Sequence, residues 1–190
     1  RQRKLHLWLS PRNVQVEPPA RSLIAFQHPG PSRMEEVLED AAYLAPEQVP
    51  EAGRVPDATT DVYRLGAILY WLATGRPPFR ATSLDDYHRK IRSVEPKAPR
   101  DVEPKVEPEL DFIIRKAMEK QQEHRFATAA GLADALRRYL EQDARESPAA
   151  AAPRQVPKAA PDIPGRRKRR LVAAGAAGIL LVLGLAGSLL

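Results

Sequence analysis

The sequence has no cysteine among its 190 residues, which excludes disulfides and thiolate metal sites and leaves the redox compartment unmarked. Histidine is scarce too: four residues, scattered without ligand spacing, make no metal pattern. Concentrated basic charge is missing outside one short run. The net charge is +6, but Arg166, Arg167, Lys168, Arg169 and Arg170 carry five of those charges. A phosphate-tracking face needs cations spread over folded surface, so this balance argues against nucleic-acid binding. No apolar segment lies near Arg1, so no secretory signal is visible and the chain reads as a fragment. What is present in quantity is apolar. A hydrophobic content of 43% suffices for one domain with a sizeable core, followed by a tail.

The tail is the simplest part to read. Leu171–Leu190 (LVAAGAAGILLVLGLAGSLL) carries no charge and no polar stripe of the kind a core helix shows. At about 1.5 Å per residue it is long enough for the roughly 30 Å hydrocarbon layer, which predicts one transmembrane helix and makes the membrane a partner. The cations at 166–170 form a juxtamembrane cluster that would place residues 1–165 on the cytoplasmic side. Residues 141–165 are rich in Ala and Pro without apolar periodicity, as expected of a linker.

Upstream the periodicity is helical. TTDVYRLGAILYWLAT offers Thr60 or Asp61 as a cap, then Val62, Leu65, Ile68, Leu69 and Leu72, and Gly75 ends it. Its apolar residues nearly encircle it, which predicts a central buried helix. Leu84, Tyr87 and Ile91 predict a shorter amphipathic helix; Leu110, Ile113, Ile114, Ala117 and Met118 predict another. A last helix starting near Thr128 sets Leu132, Ala135, Leu136, Tyr139 and Leu140 on one face. Only the first thirty residues read as strand and loop, through Val14, Val16, Leu23 and Ile24.

Three motifs then fall in order: AYLAPEQ at 42–48, DVYRLGAILYWLATGRPPF at 61–79, and EHRF at 123–126. Their order and spacing resemble the C-terminal lobe of serine/threonine protein kinases, and the phrasing is similar to bacterial members that carry a membrane helix after the kinase domain. The resemblance covers roughly residues 5–140. It implies a mainly α fold, a kinase-like helical C-lobe taken from an α+β kinase fold whose N-lobe is absent, in a partial domain spanning 1–140 plus one transmembrane helix. It also implies structural roles. Glu47, of the Ala-Pro-Glu stretch, would form a buried ion pair with Arg125, and losing one partner would strand a charge at a cost of about 3–5 kcal/mol. Asp61 matches an aspartate that begins the central helix and bonds the catalytic-loop backbone; an acid also suits a helix N-terminus.

Phosphoryl transfer needs a carboxylate to orient the nucleophile and further groups to hold metal ions. LHLWLSPRNVQV at 5–16 aligns with the family's catalytic loop, His-Arg-Asp-Leu-Lys-Pro-x-Asn. His6, Leu9, Pro11 and Asn13 match. Leu7 replaces the arginine, Trp8 the catalytic aspartate and Ser10 the phosphate-contacting lysine. The place of the metal-binding Asp-Phe-Gly reads Ala25-Phe26-Gln27, leaving Asn13 as a lone neutral equivalent that is not expected to bind metal by itself. Glu39 and Asp40 replace a Gly-Thr pair, and the segment from His28 to Asp40 has a single hydroxyl, Ser32, which gives little basis for a phosphorylation switch.

The expectation is therefore a membrane-anchored, catalytically inactive kinase-family fragment acting as a binding or scaffold module for a protein partner, with no cofactor. An alternative from the enzyme class is an active ATP-dependent serine/threonine kinase in its full-length form, using ATP and Mg²⁺. A third is a split-gene product without function. A lobe lacking its smaller partner would expose the apolar surface of the cleft and be marginally stable alone.

Overall fold

The computed structural model describes residues 9–11, 14–17, 21–24, 34–50 and 52–146; for 14–17, 21–24 and 144–146 only the backbone is described. Trp8, Asn13, Ala25, the linker beyond residue 146, the basic cluster and the apolar segment 171–190 lie outside that set. Among the described residues, no helix is long and apolar enough to cross a membrane.

The described chain is mainly helical. A short antiparallel pair, β1 (Val14–Glu17) and β2 (Arg21–Ile24), comes first, with Val14 opposite Ile24 and Glu17 opposite Arg21. Helices follow: α1 (Met34–Ala41), α2 (Ala58–Thr74), α3 (Leu84–Ser93), α4 (Pro99–Val102), α5 (Pro108–Ala117) and α6 (Ala129–Glu146). Single 3-10 turns sit at Pro46–Gln48 and Gln122–His124.

α2 is the axis of the lobe. Val62, Leu65, Ile68, Leu69 and Leu72 are all buried, and α5 and α6 pack against it. Each such side chain contributes about 1.5–3 kcal/mol when fully buried. The closest approach is at Gly66, where an added Cβ would lie 2.8 Å from the Ala117 side chain and 2.9 Å from that of Met118. Ile113, Ile114, Ala117 and Met118 fill the α5 side of the seam, and Leu132, Leu136 and Tyr139 the α6 side.

The helix ends differ from the expected ones in two places. α2 begins earlier, capped by Asp57, whose carboxylate accepts the Thr59 N–H at 2.7 Å while the Thr60 hydroxyl accepts the Asp57 N–H at 3.0 Å. This reciprocal box satisfies two otherwise orphaned donors, which neither Thr60 nor Asp61 alone would do. α6 continues past the boundary expected at 140 to Glu146, because Glu, Gln, Ala and Arg are good helix formers and outweigh the single Asp143. Gly75 closes α2 at φ 68°, its N–H returning to the Trp71 carbonyl at 2.8 Å. α1 occupies most of the segment from His28 to Asp40, for which the sequence suggested no helix.

Candidate functional site

Two segments distant in sequence meet beneath the N-terminus of α2. The turn Pro46–Gln48 is closed by the Gln48 carboxamide oxygen, which accepts the Ala45 N–H at 3.0 Å, and it turns Glu47 inward. The turn Gln122–His124 delivers Arg125. Arg125 Nη1 donates to Glu47 Oε1 at 2.7 Å and Nη2 to Oε2 at 2.8 Å, between side chains with 0% exposure. The rest of the guanidinium is engaged as well: Nε donates to the Glu119 carbonyl at 2.7 Å, Nη1 to that of Thr59 at 3.0 Å and Nη2 to that of Lys120 at 3.2 Å. All five donors of the planar fork thus have acceptors, a match lysine could not make. The Tyr63 ring lies 4.9 Å from the guanidinium carbon and adds a cation–π contact.

Thr60 joins this pair to the cap of α2, since the hydroxyl that accepts from Asp57 donates to Glu47 Oε1 at 2.6 Å. Burial by itself would raise the Glu47 carboxyl. The hydrogen bonds from Arg125 and Thr60, with the Arg125 charge, outweigh it and hold the carboxyl below its ordinary value.

A second buried cation lies one turn further along α2. Arg64 is 1% exposed; its Nε donates to the Leu9 carbonyl at 2.7 Å and its Nη1 to the Gln48 side-chain oxygen at 3.0 Å. Burial lowers its pKa to about 10, opposed by the nearby charges of Asp40 and Asp61. Arg64 therefore pins the segment at Leu9 and Ser10, both buried, to the turn that carries Glu47. Lys120 is a third cation held inside the lobe, half-buried. Its ammonium donates to the Ile91 carbonyl at 2.6 Å and stands 4.8 Å from the Phe79 ring centroid; burial lowers its pKa to about 8, opposed by the charge of Glu95, while that of Arg125 lowers it further.

Of the residues singled out by sequence, the structure brings Glu47 and Arg125 together and sets Asp61, buried, in the first turn of α2. Ser10 is buried beside Leu9. Trp8, Asn13 and Ala25 lie outside the described residues. Among the described residues, no group of three or more acidic or histidine side chains is placed to hold a metal ion. Thr60, expected only as a helix cap, was not anticipated as a partner of Glu47, and Arg64 was not anticipated at all. A lone arginine within the apolar run VYRLGAILYWLA was the available signal for the second, because a charge on a fully buried helix requires internal partners.

Chemically the site is a joint: its donors and acceptors saturate one another and fix the end of one segment to the helical body. A helical body built on a central helix and closed by this joint is consistent with the kinase-like C-lobe that the sequence motifs implied. The family model "Protein kinase domain" matches residues 24–136, and the chain belongs to that family. Among similar proteins are serine/threonine-protein kinase PknB of Mycolicibacterium smegmatis, 38% identical over 113 residues, and serine/threonine-protein kinase Pkn1 of Myxococcus xanthus, 35% identical over 136 residues. These matches cover 59% and 68% of this chain and 18% and 19% of the relatives. A probable serine/threonine-protein kinase of Streptomyces coelicolor is 39% identical over 94 residues, which is 49% of this chain and 14% of that protein. The chain thus spans less than a fifth of the length of these curated relatives.

Proposed function

We propose that this chain is the helical lobe of a serine/threonine kinase-family protein that does not transfer phosphate and serves as a membrane-anchored binding or scaffold module in signalling. The observation that carries this reading is a contrast. The buried joint of Glu47 and Arg125 is intact, whereas the aligned positions of the catalytic and metal-binding carboxylates hold Trp8 and Ala25. An indole cannot accept a hydroxyl proton, a methyl group cannot ligate magnesium, and Ser10 offers no ammonium to a phosphate. This donor set does not fit a magnesium–nucleotide complex, so no catalytic step is assigned to it. Membrane attachment is supported by the uncharged stretch 171–190 and the cations before it, with residues 1–165 cytoplasmic.

The identity to named kinases favours a second reading, an active ATP-dependent enzyme in the full-length protein. A thermal-shift measurement on the complete parent with ATP and Mg²⁺ or Mn²⁺ separates the two, because a ligand bound only to the native state raises its stability. No shift is expected. A metal-dependent shift accompanied by phosphate transfer would overturn the proposal.

A further inference from the structure

Away from the joint, an open cavity of about 300 Å³ lies where the end of α2 and the loop after it face the segment between α3 and α4. Tyr70, Phe79 and Val102 give it an apolar floor. Its rim is cationic. Arg76, Arg80 and Lys97 are exposed there, and none meets a carboxylate among the described residues. Elsewhere on the surface Arg54, Arg89, Arg115 and Arg137 each have an acidic neighbour. A fourth cation, Lys90, is held in place by Asp86 at 2.8 Å and by the Arg80 carbonyl at 2.7 Å. Glu95 is the single carboxylate in the lining.

Cations gathered around a concave apolar floor raise the local positive potential, and an anionic occupant relieves it. We infer that this cavity docks an acidic peptide segment of a partner protein, with one apolar side chain on the floor and flanking carboxylates on Arg76, Arg80 and Lys97. The concavity selects a peptide over an anionic membrane, since a bilayer surface cannot enter a recess that holds one or two side chains. The inference rests on the binding-module reading of the lobe and names its partner's chemistry.

The test uses the full chain in zwitterionic nanodiscs and a fluorescein-labelled Glu-Asp-Glu-Leu-Glu-Asp-Glu peptide, with a second version carrying benzoylphenylalanine in place of the leucine for cross-linking. Cross-links are expected on Tyr70, the loop 76–80 or the segment 94–102. Arg76→Ala, Arg80→Ala and Lys97→Ala should each weaken binding about threefold, and the triple variant roughly tenfold or more, in line with exposed charge pairs. Removing a cation outside the cavity, as in Arg138→Ala, should leave affinity unchanged. These substitutions lie on the surface, and unchanged circular dichroism would show that the fold is retained. Cross-links confined to residues 166–170, equal binding of a Gln/Asn version of the peptide, or binding of phosphatidylserine vesicles without the peptide would each overturn the inference. Phosphate transfer from ATP by the same preparation would instead sink the binding-module reading, so the two failures are distinguishable.

Discussion

Replacing Arg125 by methionine removes five hydrogen-bond donors and one charge while roughly preserving side-chain volume. Glu47 then keeps only the Thr60 hydroxyl as a side-chain donor, in a setting where its own side chain has no exposed surface. Breaking a buried pair from one side costs about 3–5 kcal/mol. Against a total stability of about 5–15 kcal/mol for a domain, this is a large fraction. It corresponds to a fall of roughly 10–20 °C in melting midpoint. The pH dependence separates this mechanism from simple loss of packing. In the native protein the Glu47 pKa lies below its unfolded value. Its stabilising contribution is therefore fully present above about pH 4.3 and is lost as pH falls through the lower folded value. In Arg125→Met the sign reverses: burial now dominates, the carboxyl pKa rises, and protonation relieves the penalty. The deficit should shrink between pH 7 and about pH 4.5. Thermal unfolding of the full chain in nonionic detergent, followed by circular dichroism at both pH values, measures it, with Arg125→Lys expected to fall between the two proteins. A deficit below about 3 °C, or one equal at both pH values, would refute the reasoning.

Other outcomes follow from the same geometry. Gly66→Ala forces a methyl group against Ala117 and Met118 and should cost about 1–3 kcal/mol by the same melting assay. Thr60→Val removes one donor to Glu47 and half of the capping box, for a loss of about 1–3 kcal/mol, whereas Thr60→Ser should retain most of the stability. Arg64→Met releases the Leu9 carbonyl, so limited proteolysis should cut faster on the N-terminal side of α1 while α6 stays protected. Lys120 binds its proton less tightly when folded, near pH 8, than the unfolded chain does. Its titration should therefore raise stability as pH climbs from about 8 to 10.5, a slope that Lys120→Met would lack.

Helix existence and helix faces were legible from the sequence because they depend on spacing over a few turns. Tyr87 and Ile91 of α3, Ile113 and Ile114 of α5, and Leu132 and Leu136 of α6 are buried where the apolar periodicity puts them. The antiparallel pair β1–β2 falls on the valines and aliphatics that suggested strands. α1 was not legible, since Met34–Ala41 mixes four acids with two aliphatic residues and its helical state depends on burying Ala41 against the lobe.

The amino-acid pattern alone was enough for most of the framework: the presence of α2, α3, α5 and α6, the stripe each one buries, and, through family resemblance, that Glu47 and Arg125 belong to one joint. How that joint is completed depended on packing in three dimensions. That packing recruited Thr60 as the link between cap and ion pair, filled the buried end of Arg64 with the Leu9 carbonyl and Gln48, and left Arg76, Arg80 and Lys97 around one recess. The reason is range. Periodicity reports neighbours along a helix, whereas the partners of Arg125 and Arg64 lie 78 and 55 residues away and are chosen by which backbone and side-chain acceptors packing brings into the same dry interior.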